Sequence, residues 1–266
     1  LRSSYMMLPG RILDEQEQFY FYSSCLAAAQ GCPVTVRTFD FGADRTMADA
    51  YQGVQSSKLG LRGIRSSLRN LPQMAVQICA LMRAATKGPL RVMFPMVTDI
   101  EDWDSAMQVV DYCRRKLAER GVEFEPDVPF GVMLSVPAAC LTAEDFTAHG
   151  CRFFVIGTND LTQMTFGYSR DDIASFLPVY LEKKILKVDP FQVLDQNGVG
   201  QLIEMAVDKG RSVRPDLKCG ICGEHGGEPS SVKFCHKVGL NYVSCSPFRV
   251  PIARLAAAQA AVEDMK

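Results

Sequence analysis

Residues 153–163 read FFVIGTNDLTQ, an apolar run that stops at Gly157 and continues directly into small polar side chains and a carboxylate. The run predicts a buried strand that delivers Asn159 and Asp160 to its C-terminal edge, where parallel α/β sheets and barrels bind ligands. Thr158 and Asn159 can hydrogen-bond, and Asp160 can hold a hard cation such as Mg²⁺ through oxygen. The same residues also fit a strand end followed by an Asn/Asp helix cap.

Apolar runs and helical patterns alternate outward from this strand along the whole chain. Eight strands alternating with helices predict an α/β fold of the (β/α)8 TIM-barrel class, with residues 1–266 as one domain; a doubly wound open sheet is the alternative. The predicted strands are 1–4 (the tail of a first strand), 34–38, 59–63, 90–94, 130–135, 151–156, 217–221 and 241–244. The predicted helices are 14–30, 71–86, 98–121, 189–210 and 250–262, and residues 42–57 are predicted to be a loop. Thr98 and Glu101 form a capping box that opens the helix at 98–121.

Composition excludes several functional classes. The 266 residues, 47% of them apolar, can bury one large core, and no stretch approaches the ~18 consecutive apolar residues of a membrane span. A net charge of −1 provides no basic field for nucleic acid. The chain begins at Leu1 without a signal-peptide pattern, which favours a cytoplasmic protein and a fragment of a longer multidomain chain.

Ten cysteines are spread along the chain, which favours reduced thiols over a disulfide framework. Cys219 and Cys222 have the spacing of a zinc or redox pair. Cys219 falls inside a predicted strand, where side chains alternate between faces, so the spacing is weak support for a metal site.

Polar side chains follow successive predicted strands. In a barrel these strand ends converge on one mouth, and arginines, an amide, a carboxylate and a glycine-rich turn suit an anion that carries both phosphate and carboxylate. A single arginine is more often a surface residue, but several at successive strand ends indicate an anion site. The residues concerned are Arg37, Arg62, Ser135, Asn159, Asp160 and Cys222 to Gly227.

Two motifs, GTNDLTQMTFGYSR (157–170) and GICGEHGGEP (220–229), closely resemble the C-terminal phosphoenolpyruvate/pyruvate-binding domain of the phosphoenolpyruvate (PEP)-utilising enzymes. Residues 157–200 and 222–249 are most similar to the pyruvate, phosphate dikinase branch of that family. VRTFDFGADR (36–45) and LGLRGIR (59–65) are more similar to the sister branch, the PEP–protein phosphotransferases, or enzyme I of the sugar phosphotransferase system. The resemblance covers essentially the whole chain and leaves the second substrate open.

The resemblance implies a role for each matching residue. The implied reaction transfers phosphate between PEP and a histidine on a separate phosphohistidine domain, with Mg²⁺ as cofactor, and relatives dimerise through this domain. Arg37 and Arg62 match phosphate-binding arginines, Asn159 matches a phosphate-contacting amide, Asp160 matches one of two Mg²⁺ ligands, Arg170 matches a further active-site arginine of the protein phosphotransferases, and Cys222 matches the residue that protonates the enolate of pyruvate. Thr158, beside Asn159, is expected to bind substrate through its hydroxyl.

The chain departs from the family pattern at Ser135, where the family has a glutamate that holds Mg²⁺ together with the aspartate. Serine is neutral and a weaker ligand than a carboxylate. The opening Arg-Thr-Glu pattern of the family is likewise replaced, here by Arg2-Ser3-Ser4. Three accounts remain open: a weakened enzyme whose metal is held mostly by substrate, a PEP-binding or regulatory module that has lost catalysis, or another group that replaces the carboxylate.

Chemistry requires a group that gives a proton to the enolate once phosphate has left PEP. A thiol with a pKa near ~8.5 can do so at neutral pH, and Cys222 lies between glycines just past an apolar strand. An incidental buried cysteine is the alternative. His225, in the same loop, is a candidate for orienting Cys222 or for binding a carboxylate.

Overall fold

A computed structural model describes residues 1–8, 11–40 and 59–265 of the chain. The chain divides into two compact units, Leu1–Val132 and Met133–Lys266. The predicted loop at 42–57 lies outside the described residues.

The first unit alternates strands and helices. Its strands are β1 (Met7–Leu8), β2 (Arg11–Ile12), β3 (Val34–Arg37), β4 (Leu90–Phe94) and β5 (Phe130–Leu134), the last of which ends just past the boundary. Its α-helices are α1 (Glu15–Ala28), α2 (Ile64–Arg69), α3 (Leu71–Ala84) and α4 (Ile100–Glu119), and short 3₁₀ helices cover Ser3–Met6 and Ala85–Lys87.

Strands β3, β4 and β5 are parallel. Val34 pairs with Leu90, and Val92 pairs with Phe130. All of β5 and most of β4 are buried, as expected of parallel strands covered on both faces. Arg2 forms a single parallel bridge with Arg37, so the predicted first strand is present only as this contact.

The second unit continues the same alternation. Its strands are β6 (Phe153–Gly157), β7 (Lys218–Cys222) and β8 (Tyr242–Val243). Its α-helices are α5 (Pro137–Leu141), α6 (Ala143–Ala148), α7 (Thr158–Phe166), α8 (Ile173–Glu182), α9 (Val199–Val213), α10 (Pro229–Lys237) and α11 (Val250–Glu263), and 3₁₀ helices cover Glu224–Gly227 and Pro247–Arg249.

Strands β6, β7 and β8 are also parallel. The β6–β7 register runs from Phe153 opposite Lys218 to Gly157 opposite Cys222. The C-terminal ends of these two strands therefore lie side by side, which positions the candidate site.

One strand prediction is wrong. Residues 59–63 form a turn rather than a strand, because Gly60 and Gly63 have φ values of +81° and +57°, which an extended strand does not allow. Helix α2 begins directly afterwards at Ile64, whose N–H donates to Pro95 O at 2.9 Å. Arg62 therefore lies in a turn and not in a third strand.

Two predicted helix starts are also shifted. The helix predicted at 189–210 begins only at Val199, after a turn in which the Asp195 carboxylate accepts the N–H groups of Gly198 and Val199. The helix predicted from Thr98 is capped by Asp99, whose carboxylate accepts the N–H of Asp102. Of the helices in residues 1–8, 11–40 and 59–265, none combines the length and apolar character needed to cross a membrane.

Candidate active site

The edge at which β6 and β7 end carries the residues that the first motif supplies. Helix α7 begins directly after β6, so Thr158, Asn159 and Asp160 form its first turn. The residue before the helix is Gly157, and no side chain caps the helix. The strand predicted here is confirmed, whereas Asn159 and Asp160 lie inside the helix and do not cap it.

A buried hydrogen-bond network joins this turn to the loop after β7. Thr158 Oγ1 lies 3.0 Å from Cys222 O and 2.7 Å from His225 Nδ1, and His225 Nε2 lies 2.9 Å from Pro190 O. Burial lowers the pKa of His225, although its hydrogen bond to Pro190 raises that pKa in part. A neutral ring that donates from Nε2 to Pro190 O has an acceptor at Nδ1, so Cys222 O and Nδ1 compete for the single proton of the Thr158 hydroxyl. His225 is fully buried, and this placement fits a role in orienting the Cys222 segment better than direct ligand binding.

Gly223 permits the close approach between these segments. Its φ is +112°, and a Cβ there would lie 2.8 Å from Thr158 Oγ1 and 3.4 Å from the Asn159 amide. A larger residue at 223 would therefore displace Thr158 or Asn159.

Glu224 bridges two of the predicted substrate-binding residues. Its Oε2 accepts from Asn159 Nδ2 at 2.6 Å, and its Oε1 accepts from Arg170 Nη2 at 2.7 Å. Arg170 is fixed in turn, because its backbone N–H donates to Gln163 Oε1 at 2.9 Å. Sequence reasoning included Glu224 only as part of the loop 222–227 and gave it no role of its own, although a carboxylate in a glycine-rich loop after a buried strand is a signal for one.

The ionisation of Glu224 follows from these contacts. Burial raises its pKa, but the hydrogen bond from Asn159 and the charge of Arg170 lower it further, so the pKa lies below its usual value. Glu224 is therefore a carboxylate at neutral pH.

Cys222 is the last residue of β7, and its Sγ lies 3.5 Å from Ile156 O. Its side chain is partly exposed, whereas Cys219 in the same strand is fully buried, and burial raises the pKa of Cys219 to about 11. The two thiols thus differ in exposure, as strand alternation predicts.

Ser135 lies beside Gly157, the last residue of the strand that precedes Asp160. It is fully buried, and a Cβ at Gly157 would lie 2.4 Å from its Oγ. Within the part of the chain that the structure describes, Ser135 Oγ and Asn159 Oδ1 are buried without a hydrogen-bond partner, and no cluster of three His, Cys, Asp or Glu side chains could hold a metal. Asp160 and these neutral oxygens therefore fit a cation shared with a ligand better than one held by protein alone.

Arg37 and Arg62 bind a common carboxylate in the first unit. Arg62 donates from Nε and Nη2 to Asp40 at 3.2 and 2.8 Å, and Arg37 Nη1 lies 3.2 Å from Asp40 Oδ2. The side chains of Asp40 and Arg62 are only 1% and 5% exposed. Sequence reasoning assigned no role to Asp40, which follows the strand predicted at 34–38.

Residues 2–262 match the family described as "PEP-utilising enzyme, PEP-binding domain". The chain belongs to this family. It is 52% identical over 216 residues to pyruvate, phosphate dikinase of Clostridium symbiosum, with 77% of this chain and 24% of the relative covered. It is 51% identical over 211 residues to pyruvate, phosphate dikinase 2 of Oryza sativa subsp. japonica (76% and 23% covered), and 50% identical over 212 residues to the chloroplastic pyruvate, phosphate dikinase 1 of Arabidopsis thaliana (77% and 22% covered). The aligned part of this chain thus spans about a quarter of the length of these relatives.

Among solved structures, the chain is similar to a citrate lyase from Burkholderia xenovorans LB400, with a TM-score of 0.50 and 12% identity over 97% of this chain and 80% of that one. At this identity the likeness shows the fold alone. The α/β fold of the (β/α)8 class predicted from the sequence is confirmed, since strands β3 to β5 in the first unit and β6 to β8 in the second are parallel and alternate with helices.

Proposed function

We propose that this PEP-binding domain binds PEP or pyruvate and supports phosphoryl transfer between PEP and a histidine on a separate domain. The observation that carries the proposal is the convergence of Asn159 and Arg170 on one carboxylate, that of Glu224, where β6 and β7 end. Donors that hold a carboxylate of the protein have the geometry to hold a carboxylate or phosphate of a ligand.

The proposed roles follow the family pattern. Arg37 and Arg62 bind the phosphate of PEP, and Thr158, Asn159 and Arg170 bind and orient the substrate anion. Asp160 would hold Mg²⁺ together with substrate oxygens, and the ion would offset the charge that develops on the enolate. A Mg²⁺ site completed by the ligand agrees with the neutral Ser135 and with the single carboxylate of the α7 turn.

Cys222 is the proposed proton donor in the direction that forms pyruvate. When phosphate leaves PEP, the enolate remains, and its carbon–carbon electron pair takes the proton of Cys222 Sγ to form the new C–H bond at C3. The thiolate then regains a proton from solvent. The partial exposure of Cys222 leaves room for both steps.

Ser135 favours a second candidate, a PEP-binding or regulatory domain with weakened catalysis, because one negative charge of the metal site is missing.

The similar proteins are named pyruvate, phosphate dikinases, which favours dikinase-type transfer over the alternative of a PEP–protein phosphotransferase. A cytoplasmic location and a homodimer remain part of the proposal; sedimentation of the purified chain tests the dimer.

Titration calorimetry with PEP and Mg²⁺ tests the proposed function. Asn159→Ala and Arg170→Met should each weaken binding by about tenfold or more, because a hydrogen bond to a charged group contributes roughly 1.5–3 kcal/mol. Lys233→Met is the matched control, since Lys233 pairs with Glu263 on the surface of the same unit. Absence of PEP binding, or unchanged affinity in both site variants, would contradict the proposal.

A further inference from the structure

Glu224 holds its carboxylate where a ligand anion would meet the predicted donors. It opens the 3₁₀ turn Glu224–Gly227 immediately after Gly223, and its two oxygens are divided between Asn159 at 2.6 Å and Arg170 at 2.7 Å. A free carboxylate with two oxygens would satisfy the same two donors in the same way. Glu224 therefore makes the contacts that the proposed function gives to the substrate.

The backbone positions that carry the two donors are anchored. Asn159 is in the first turn of α7, and the backbone of Arg170 is fixed by the buried Gln163 side chain. The side chains of Glu224 and Arg170 are 43% and 48% exposed. Ion pairs of this exposure are weak, so rotation of the Glu224 side chain into solvent can release both donors without a change in the backbone.

Charge makes the two occupants mutually exclusive. Asn159 Nδ2 and Arg170 Nη2 cannot give the same hydrogens to Glu224 and to a ligand, and an ionised Glu224 beside these donors repels a phosphate or carboxylate. Binding of an anion through these hydrogens thus requires that Glu224 leave.

We propose that Glu224 is a built-in competitor of the substrate: its carboxylate occupies Asn159 and Arg170 in the ligand-free domain, and PEP or pyruvate binds by displacing it. This inference rests on the proposed function and adds a regulatory feature to the same site. Because only the displaced state binds, the apparent affinity is lowered by the fraction of molecules in which Glu224 has left.

The consequence is a gain of affinity on removal of a site residue. Glu224→Gln keeps the size of the side chain and removes its charge, so it should bind oxalate, a two-carboxylate mimic of enolpyruvate, about three- to tenfold more tightly than the unmodified chain. The gain in oxalate affinity should shrink when Arg170→Met is also present, because there is then no guanidinium for which Glu224 and oxalate compete. Glu263→Gln, which removes another exposed paired carboxylate from the same unit, is the matched control and should leave oxalate affinity unchanged.

The test is an oxalate titration by calorimetry of the unmodified chain, Glu224→Gln, Glu263→Gln and the Arg170→Met/Glu224→Gln double variant, with Mg²⁺ present and thermal melts to confirm folding. Tighter binding to Glu224→Gln alone among the single variants supports displacement. Equal oxalate affinity of Glu224→Gln and the unmodified chain overturns displacement. An undiminished gain of oxalate affinity in the double variant overturns it too. Weaker binding also overturns it and would assign Glu224 to the ligand or metal as a supporting carboxylate. Oxalate binding to Glu224→Gln but not to the unmodified chain supports both the proposed function and the displacement of Glu224. No oxalate binding to either chain overturns both.

Discussion

The two units each build a carboxylate into a cluster of cationic or amide donors, and the two clusters differ in exposure. In the first unit, Asp40 binds Arg37 and Arg62, whose side chains are 13% and 5% exposed, while Asp40 itself is 1% exposed. In the second, Glu224 binds Asn159 and Arg170 with nearly half of both charged side chains in solvent. Burial makes the first cluster a fixed part of the fold, and exposure leaves the second able to exchange its carboxylate for a ligand.

The charge of the two clusters reinforces this difference. Asp40 pairs with two guanidinium groups at once, so both are held in place by contacts inside the cluster. Glu224 and Arg170 cancel each other, so their cluster becomes positive only when Glu224 moves away. The first cluster is thus preorganised for an anion, and the second must be released for one.

The largest expected effect is on stability at Asp40. Asp40→Asn removes the carboxylate that the buried Arg62 and the partly buried Arg37 share, and it should lower the free energy of unfolding by about 3–5 kcal/mol. Urea denaturation measures this, with Glu224→Gln as the matched variant in the exposed cluster, where the change should stay below about 1 kcal/mol. Equal losses in the two variants would remove the distinction between the clusters.

Next in size is an effect on rate that leaves the fold intact. Cys222→Ala should slow the exchange of pyruvate methyl protons with solvent deuterium by roughly 10²-fold or more, while oxalate binding is nearly unchanged, because only the proton donor is lost. NMR of pyruvate measures the exchange, in a parent protein that carries the phosphohistidine domain. If the parent catalyses exchange and the variant retains its rate, another residue is the acid, and His225 is the first to examine.

Arg37 should contribute to PEP affinity by a smaller amount. Arg37→Met keeps the apolar stem and removes the guanidinium, and the loss should be about 2–3 kcal/mol because the phosphate is then partly unpaired. Arg37 is the better choice than Arg62, which makes two of the hydrogen bonds to Asp40 and so also supports the fold. Calorimetric titration with PEP measures the loss, and unchanged affinity with an unchanged melting temperature would exclude Arg37 from the site.

The smallest expected effect is a gain at Ser135. Ser135→Glu restores the carboxylate of the family and should strengthen Mg²⁺ binding in the presence of oxalate by about 1–2 kcal/mol, after the cost of placing a charge at a buried position. Ser135→Gln has the same size without the charge and controls for crowding beside Gly157. An identical Mg²⁺ affinity in both variants would mean that another group already supplies the ligand.

Sequence reasoning predicted the strands at 90–94, 130–135, 151–156 and 217–221 to within two residues at either end, because buried parallel strands are continuous apolar runs. It failed at 59–63, where two glycines with positive φ make a turn. It also gave no bounds for helices α2, α5 to α8 and α10, because a helix of only a few turns shows too few residues for a period of 3.6 to appear.

The candidate site was predictable where residues lie at strand ends and not where roles depend on distant partners. Asn159 and Cys222 follow from the ends of apolar runs, and the register of β6 and β7 brings those ends together. The role of Glu224 depends on contacts with Asn159 and Arg170, which precede it in the chain by 65 and 54 positions, and no local pattern encodes such contacts. Asp40 is likewise defined by Arg62, 22 residues further along the chain.

The central claim is that this domain binds an enolpyruvate-like anion and relies on it to complete the Mg²⁺ site. The most direct test is one calorimetric experiment in which oxalate and Mg²⁺ are added separately and together. The account predicts saturable oxalate binding with Mg²⁺ present and no saturable binding of Mg²⁺ alone, because Ser135 supplies no charge beside Asp160. Tight Mg²⁺ binding to the oxalate-free chain, or no oxalate binding when Mg²⁺ is present, would contradict it.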